Sequence, residues 1–300
     1  MTAEPEPAIA NPEQQLAWEK RHRTRAAISA AVAAIGLLVF NVLQQVVNRD
    51  TPTVSGLKTL QRGVTEKNVD ALPSLQTAAL EHFHDKSAMV IVLAIAGFVG
   101  YLGLAWTVGF LGVAARSRIP TLRKFIVYIP IVGGVLLGVA VLMTSLGKLN
   151  AINTFLDSDR TVADAYDANR NGVVLYAGLL SLLGTLAVAV GVVLVALHAM
   201  RAGLLTRMLG YIGIASGAMM VFFALPIVQV FWFSALAFVF LGRWPGGELP
   251  AWAAGEAVPW PTPERPPPRQ RRGAPAPASA SEPGASSGSA PARRKRKKRN

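Results

Sequence analysis

The 300-residue chain contains no cysteine and few charged residues. The absence of cysteine excludes disulfides, haem attachment through cysteine and any thiolate chemistry. Only 16% of the residues are charged, against about 25% in ordinary soluble domains. Hydrophobic residues make up 52% of the chain. This balance argues against a protein built from ordinary soluble domains.

The few charges are also unevenly placed. Five stretches contain no Asp, Glu, Lys or Arg: 26–48, 87–115, 125–147, 171–200 and 208–242. Each has at least 23 residues, and about 20 apolar residues are enough to cross the ~30 Å hydrocarbon core of a bilayer. The first stretch is longer than the ~7–15-residue core of a cleaved signal peptide, so we interpret it as a retained span. The pattern predicts an all-α fold, a polytopic transmembrane helix bundle.

The last stretch, 208–242, is too long for one straight span, because at ~1.5 Å per residue it would extend roughly 52 Å. Pro226 lies near its middle, where proline removes a backbone donor and favours a break. We predict two spans, near 203–224 and 227–242, joined by a tight turn. The alternative is one long kinked helix. The hairpin gives about six spans in total.

The basic residues predict the orientation of these spans. Segments 1–25, 116–124, 201–207 and 243–300 carry 22 basic and 8 acidic residues, whereas segments 49–86 and 148–170 carry 8 basic and 9 acidic residues. Cytoplasmic loops are enriched in Lys and Arg. We therefore expect both termini in the cytoplasm. The predicted organisation is a cytoplasmic N-terminal segment 1–25, a six-span membrane domain 26–242, and a juxtamembrane segment and tail 243–300.

Small residues recur at four-residue spacing within the predicted spans. This spacing lets two helix backbones approach closely in lipid, and we expect tight contacts within the bundle. The pairs are Ala30 and Ala34, Ala105 and Gly109, Gly134 and Gly138, Ala187 and Gly191, and Gly213 and Gly217.

Candidate polar sites within the spans are sparse. An ionisable side chain inside a membrane usually marks function, and here only His198 comes close, near the cytoplasmic end of the fourth span. The remaining polar side chains form hydrogen bonds between helices or, alternatively, line a path: Asn41, Gln44, Gln45, Thr107, Thr185 and Gln229. No Ser–His–acid set and no glycine-rich phosphate loop is placed for catalysis, so no enzyme is predicted.

Two outer segments resemble metal sites only in part. Glu81-His82-Phe83-His84-Asp85 alternates histidine with carboxylates, but residues two apart on a helix point in different directions. Asp167-x-Asn169-x-Asn171-Gly172 matches the first half of an EF-hand calcium loop. Its twelfth position, where a bidentate Glu belongs, is Gly178. We predict no metal and no cofactor at either segment.

The composition changes after Gly242. Trp244, Trp252 and Trp260 recur every eight residues, which favours a segment lying at the membrane interface or, alternatively, a partner motif. Residues 261–292 are rich in Pro, Ala, Ser and Gly, and disorder is predicted there. The candidate binding site is the seven-base cluster that follows: Arg293, Arg294, Lys295, Arg296, Lys297, Lys298 and Arg299. Anionic lipid headgroups are its predicted ligand, and RNA or the ribosome is the alternative.

The segment Leu241–Pro261, LGRWPGGELPAWAAGEAVPWP, together with the hairpin before it, resembles the C-terminal signature of uncharacterised multi-pass membrane proteins from actinobacteria. The Ala-, Arg- and Pro-rich composition is typical of a high-GC genome. The resemblance implies a bacterial plasma-membrane location. It carries no catalytic or binding residue to transfer.

Three functions from different classes remain open. A membrane structural or interaction protein is favoured, with lipid, other membrane proteins or a second copy of the chain as partners. The first alternative is a permease or channel for a neutral or lipid-like solute, which would need a cavity that reaches the middle of the membrane. The second is a membrane-insertion factor whose basic tail holds ribosomes.

Overall fold

The computed structural model describes residues 12–66, 68–222 and 226–260, and they fold into α-helices without a strand. The predicted all-α class is thereby confirmed. The helices are α1 Pro12–Asn48, α2 Gly56–Thr65, α3 Thr77–Asp85, α4 Ser87–Arg118, α5 Lys124–Leu156, α6 Val162–Asn169, α7 Gly172–Arg201, α8 Arg207–Phe222, α9 Pro226–Phe240 and α10 Pro250–Ala254.

Four of these helices are long and apolar enough to cross a membrane: α1, α4, α5 and α7. They coincide with the first four charge-free stretches. Helix α1 begins earlier than the first stretch, at Pro12, so the charged residues before Ala26 continue the same helix. The chain is therefore compatible with a membrane helix bundle.

The last charge-free stretch forms two helices, α8 and α9, and not one kinked helix. Helix α9 begins at Pro226, a first-turn position where the missing backbone donor of proline costs nothing. The two helices have 16 and 15 residues, which is less than the predicted spans near 203–224 and 227–242. Residues 202–206 form the connection from α7 and do not belong to α8.

The six apolar helices pack as a closed ring. Around the ring, α1 contacts α4, α4 contacts α5, α5 contacts α7, α7 contacts α8, α8 contacts α9, and α9 returns to α1. Neighbours run antiparallel. Lys86 at the start of α4 donates to the carbonyl of Val46 near the end of α1, and Gly210 near the start of α8 abuts Met200 near the end of α7.

Small side chains let the helix backbones touch. A Cβ added at Gly36 of α1 would lie 2.7 Å from the Cα of Gly100 of α4, and one added at Gly134 of α5 would lie 2.8 Å from the Cβ of Ala105 of α4. Because these distances leave no room for a side chain, the backbones approach each other as closely as the four-residue spacing leads us to expect. The prediction of tight helix contacts at Ala105 and Gly134 is confirmed.

Many large apolar side chains are exposed on the outside of the ring. Helix α7 buries mainly Gly, Ala and Val, including Gly184 and Ala196, while Leu175, Leu182 and Leu183 are exposed. In water such a surface would be a large apolar patch, which soluble monomers rarely carry. A lipid environment accounts for it.

The ring has two chemically different ends. One end is called the capped end because the segment after Gly242 folds over it. It consists of residues 12–25, 116–124, 201–207 and 241–260. The opposite end consists of residues 48–66, 68–87 and 148–171, with helices α2, α3 and α6. Helix α6 starts at a capping box in which Thr161 and Asp164 satisfy each other's backbone N–H groups. Residues 1–11 and 261–300, which include the predicted disordered linker and basic cluster, lie outside the described residues.

Candidate functional site: the capped end and its groove

A buried ion pair lies at the centre of the capped end. Arg118, near the end of α4, pairs with Glu19 of α1, and the two side chains are 0% and 3% exposed. Their second contact, from Nη2 of Arg118 to Oε2 of Glu19, is 2.9 Å long. Gln15 also donates to Glu19, at 2.9 Å.

Arg118 uses its remaining donors on backbone carbonyls. Nε and Nη2 donate to the carbonyl of Ala251 at 3.2 and 2.8 Å, and Nη1 donates to the carbonyl of Ala114 at 2.9 Å. A guanidinium group has five N–H donors in a fixed fork, and this arrangement occupies them all. The pair therefore joins three separate parts of the chain, α1, α4 and α10.

The segment after Gly242 folds back onto the ring. Trp252 is buried, and its indole N–H donates to the carbonyl of Leu204 at 3.0 Å. The indole of Trp260 donates to the carbonyl of Leu205 at 2.9 Å. These two carbonyls lie in the connection between α7 and α8. Trp252 is therefore buried within the capped end, and the position of this segment at the membrane interface stays a prediction.

Gly203 allows the segment to dock. Its φ of +78° lies in the left-handed region, and a Cβ there would lie 2.1 Å from the carbonyl oxygen of Val258. The N–H of Val258 donates to the carbonyl of Ala202 at 3.1 Å. The chain thus passes over Gly203 in direct backbone contact, and only glycine fits there.

A second arginine fastens the same segment. Arg23 of α1 pairs with Glu248 and donates to the carbonyl of Val239 at 3.2 Å. The guanidinium groups of Arg23 and Arg118 lie 5.0 and 5.5 Å from the ring centroid of Trp252. Both positive charges therefore face the indole at cation–π distance.

An open groove of about 1050 Å³ lies beside this cap, between α4 and α5, with α1 at one end. Its outer edges are Trp106 and Tyr128, which are 53% and 60% exposed. Gly109 of α4 and Ile131 of α5 both line it and lie in tight contact, since a Cβ at Gly109 would lie 2.8 Å from the side chain of Ile131. The lining is mainly apolar.

Basic groups are concentrated at the capped end of the groove, where Arg116, Lys124 and His22 line it together with Ser117. The other end is apolar and is formed by residues such as Leu102 and Val135. The groove thus has one positive end and one apolar end.

An aromatic stack links the groove to the cap. The rings of Trp18 and Phe110, which line the groove, stack with centroids 5.5 Å apart. Phe110 in turn stacks on Trp252, with centroids 6.0 Å apart. Neither the groove nor the buried pair was predicted from the sequence.

No family model, no curated protein and no solved structure matches this chain. The resemblance to actinobacterial membrane proteins therefore stays a prediction.

A smaller cavity of about 250 Å³ lies at the opposite end. Its polar lining is formed by Gln44, Asn48, Thr144, Ser145, Lys148 and Asn169. Among the polar residues singled out in the sequence, Gln44 lines this cavity. Thr107 of α4 forms a hydrogen bond of 2.9 Å with Ser29 of α1. Gln45 and Gln229 line neither of these two cavities.

The side chains of the histidine-containing segment contact residues of segment 148–171. Glu81 pairs with Arg160 at 2.9 Å, and Nδ1 of His84 lies 3.0 Å from Oδ1 of Asn153. Within residues 12–66, 68–222 and 226–260, no three His, Asp or Glu side chains gather as metal ligands. These contacts join two segments of the opposite end, 68–87 and 148–171, to each other.

The partial calcium motif is divided between two helices. Asp167 and Asn169 lie in α6, and the side chain of Asn171 caps α7 by accepting from the N–H of Val173 at 2.9 Å. Asn169 donates to Gln76 at 2.9 Å. These oxygens do not form one ligand loop. The absence of calcium binding remains a prediction.

The other candidates from the sequence are placed as follows. His198, part-buried, lies in the last turn of α7 with Nδ1 2.7 Å from the carbonyl of Leu194. Asn41 donates to the carbonyl of Leu37 on its own helix at 2.7 Å. The basic cluster 293–299 lies outside the described residues.

Proposed function

We propose that the chain crosses a bacterial plasma membrane six times, with both termini in the cytoplasm. The positive-inside rule supports this orientation. Among the described residues, the capped end carries 11 basic and 4 acidic side chains, whereas the opposite end carries 7 basic and 9 acidic ones. The capped end would then face the cytoplasm.

The short helices α8 and α9 count as two of these spans. With 16 and 15 residues they are roughly 24 and 22 Å long. They complete the ring between α7 and α1. A hydrophobic stretch a few ångströms too short is accommodated by local thinning of the bilayer and by flanking side chains that reach the headgroups.

We further propose that the protein acts as a membrane structural or interaction protein. The observation that carries this proposal is the position of the groove, which opens sideways between α4 and α5 past exposed Trp106 and Tyr128. A cavity in that position favours contact with a membrane component. The tight Gly- and Ala-mediated packing between helices favours a rigid scaffold.

The groove also favours one alternative, a permease for a neutral or lipid-like solute. Transport would need a path from the groove to the cavity at the opposite end. The insertion factor has less support, because such factors rely on a hydrophilic groove and the lining here is mainly apolar. Its ribosome-binding cluster, 293–299, lies outside the described residues.

Reporter fusions test the orientation. Fusions after Arg123, Arg207 and Arg272 should read cytoplasmic, and fusions after Lys67 and Asp164 should read external. An external reading at Arg272 alone would mean that α8 and α9 do not both cross the membrane.

Flux measurements on reconstituted vesicles test the role. An interaction protein should pass neutral and lipid-like solutes no faster than vesicles without protein. Facilitated flux that disappears when Val113, an exposed side chain of the groove, is replaced by Trp would favour the permease instead.

A further inference from the structure

The shape of the groove indicates an occupant with a long apolar part. Along α5 the lining runs from Lys124 to Val135, which at ~1.5 Å per residue is about 16 Å. This is about half of a ~30 Å hydrocarbon core. The groove therefore has the depth of a single leaflet, from the headgroup level at the capped end to the bilayer centre.

The charges in the groove indicate an anionic head on that occupant. Arg116 and Lys124 line the capped end of the groove, and His22 lies beside them. Ser117 adds a hydroxyl group to the same end. Arginine, lysine and hydroxyl groups are the common protein partners of phosphate oxygens. The apolar end offers nothing to a second polar group.

The groove differs from an ordinary lipid-facing helix surface by its volume of about 1050 Å³ and its aromatic edges. Gly109 of α4 and Ile131 of α5 line it in tight contact with each other, and the exposed rings of Trp106 and Tyr128 line it as well. Such rings hold an acyl chain from the sides. A chain in this groove would contact α4 and α5 at once.

We propose that this groove is a binding site for an anionic phospholipid of the leaflet next to the capped end. The phosphate and acidic headgroup lie against Arg116 and Lys124, and an acyl chain lies along Gly109 and Ile131 between Trp106 and Tyr128. The proposal rests on the proposed membrane location, and it deepens the interaction role by naming the chemical class of the ligand.

Quenching by brominated lipid tests this site in the full-length protein reconstituted in bilayers. Brominated phosphatidylglycerol or brominated phosphatidylcholine is added over the same series of mole fractions to an otherwise unbrominated bilayer. The fluorescence assigned to Trp106 is the fluorescence of the protein minus that of its Trp106→Phe variant. We expect the anionic lipid to quench this signal at a much lower mole fraction than the zwitterionic lipid.

A charge-matched pair of variants isolates the groove from the rest of the basic end. The double substitution Arg116→Gln, Lys124→Gln should weaken the headgroup preference by about thirty-fold, since each base near an anionic headgroup contributes about five-fold. The control Lys20→Gln, Arg201→Gln removes the same charge from exposed residues of the capped end that do not line the groove. It should keep the preference.

Two results would overturn the proposal. One is equal quenching of Trp106 by both lipids. The other is an equal loss of preference in the groove variant and its control, which would mean general surface charge. The result of the reporter fusions does not depend on the quenching result, because the groove would keep its headgroup preference in either orientation of the protein. Failure of the site and failure of the proposed orientation are thus distinguishable.

Discussion

Removing the carboxylate of Glu19 should destabilise the ring far more than removing an exposed charge at the capped end. Arg118 is fully buried, and Glu19 neutralises it. In Glu19→Ala the guanidinium keeps its carbonyl contacts to Ala251 and Ala114 but loses its counter-charge. Breaking a buried pair from one side typically costs about 3–5 kcal/mol, which is roughly two to four orders of magnitude in the folding equilibrium.

The measurement is unfolding of the detergent-purified protein, followed by tryptophan fluorescence. Trp252 lies beside Arg118, so its emission reports on the same site. The matched control is Arg201→Ala, an exposed charge at the same end, which should change stability by no more than about 0.5 kcal/mol. A double substitution, Glu19→Leu with Arg118→Met, should recover most of the loss, because hydrophobic replacement of a buried pair is often neutral or stabilising. Equal stability of Glu19→Ala and the Arg201 control would refute the reasoning.

Three further predictions concern packing, docking and the basic cluster. Gly36→Ala should cost about 1–3 kcal/mol of stability, because the added methyl group clashes with α4. Gly178→Ala should not destabilise α7, because the space around Gly178 is open; thermal unfolding in detergent compares the stability of the two variants. Gly203→Ala should release the segment that ends near Val258, so limited proteolysis should cut residues 243–260 in this variant and spare them in the parent. A peptide that contains residues 293–299 should bind vesicles of anionic lipid but not neutral vesicles, and this binding should weaken steeply with added salt. Negligible vesicle binding, together with loss of ribosomes from membranes when 293–299 is deleted, would favour the insertion factor.

The long helices were predictable from the sequence because the cause is local. A stretch without charge that is long enough for a bilayer has to satisfy its own backbone, and a helix does so within the segment. The break at Pro226 followed from the same local reasoning. The start of α1 at Pro12 did not, because the charged residues around Glu19 conceal how far the helix extends.

The capped end could not be predicted, because its contacts join distant parts of the chain. Arg118 contacts a carbonyl 133 residues further along, and Arg23 contacts Glu248 across 225 residues. The even spacing of the tryptophans gives no indication that the indole N–H of Trp252 bonds to the carbonyl of Leu204, in the connection between α7 and α8. The only local signal for the buried pair is that Glu19 and Arg118 each lie a short way beyond a charge-free stretch.

The groove was also beyond sequence reasoning. Its lining comes from α1, α4 and α5 together, and small residues at four-residue spacing predict contact between helices without showing where the helices leave a space. In the sequence, the bases Arg116 and Lys124 contribute only to the positive charge of segment 116–124. Their position at one end of a cavity became visible only in three dimensions.

The buried pair has a consequence for biogenesis. Glu19 leaves the ribosome early and Arg118 follows, but the carbonyl of Ala251 that completes the site is made 133 residues after Arg118. Ring closure between α1 and α9 is equally late. Contacts of such long sequence separation form slowly. Until α10 is made, Nε and Nη2 of Arg118 lack the carbonyl of Ala251 as a partner, so a chain truncated before α10 leaves this site incomplete.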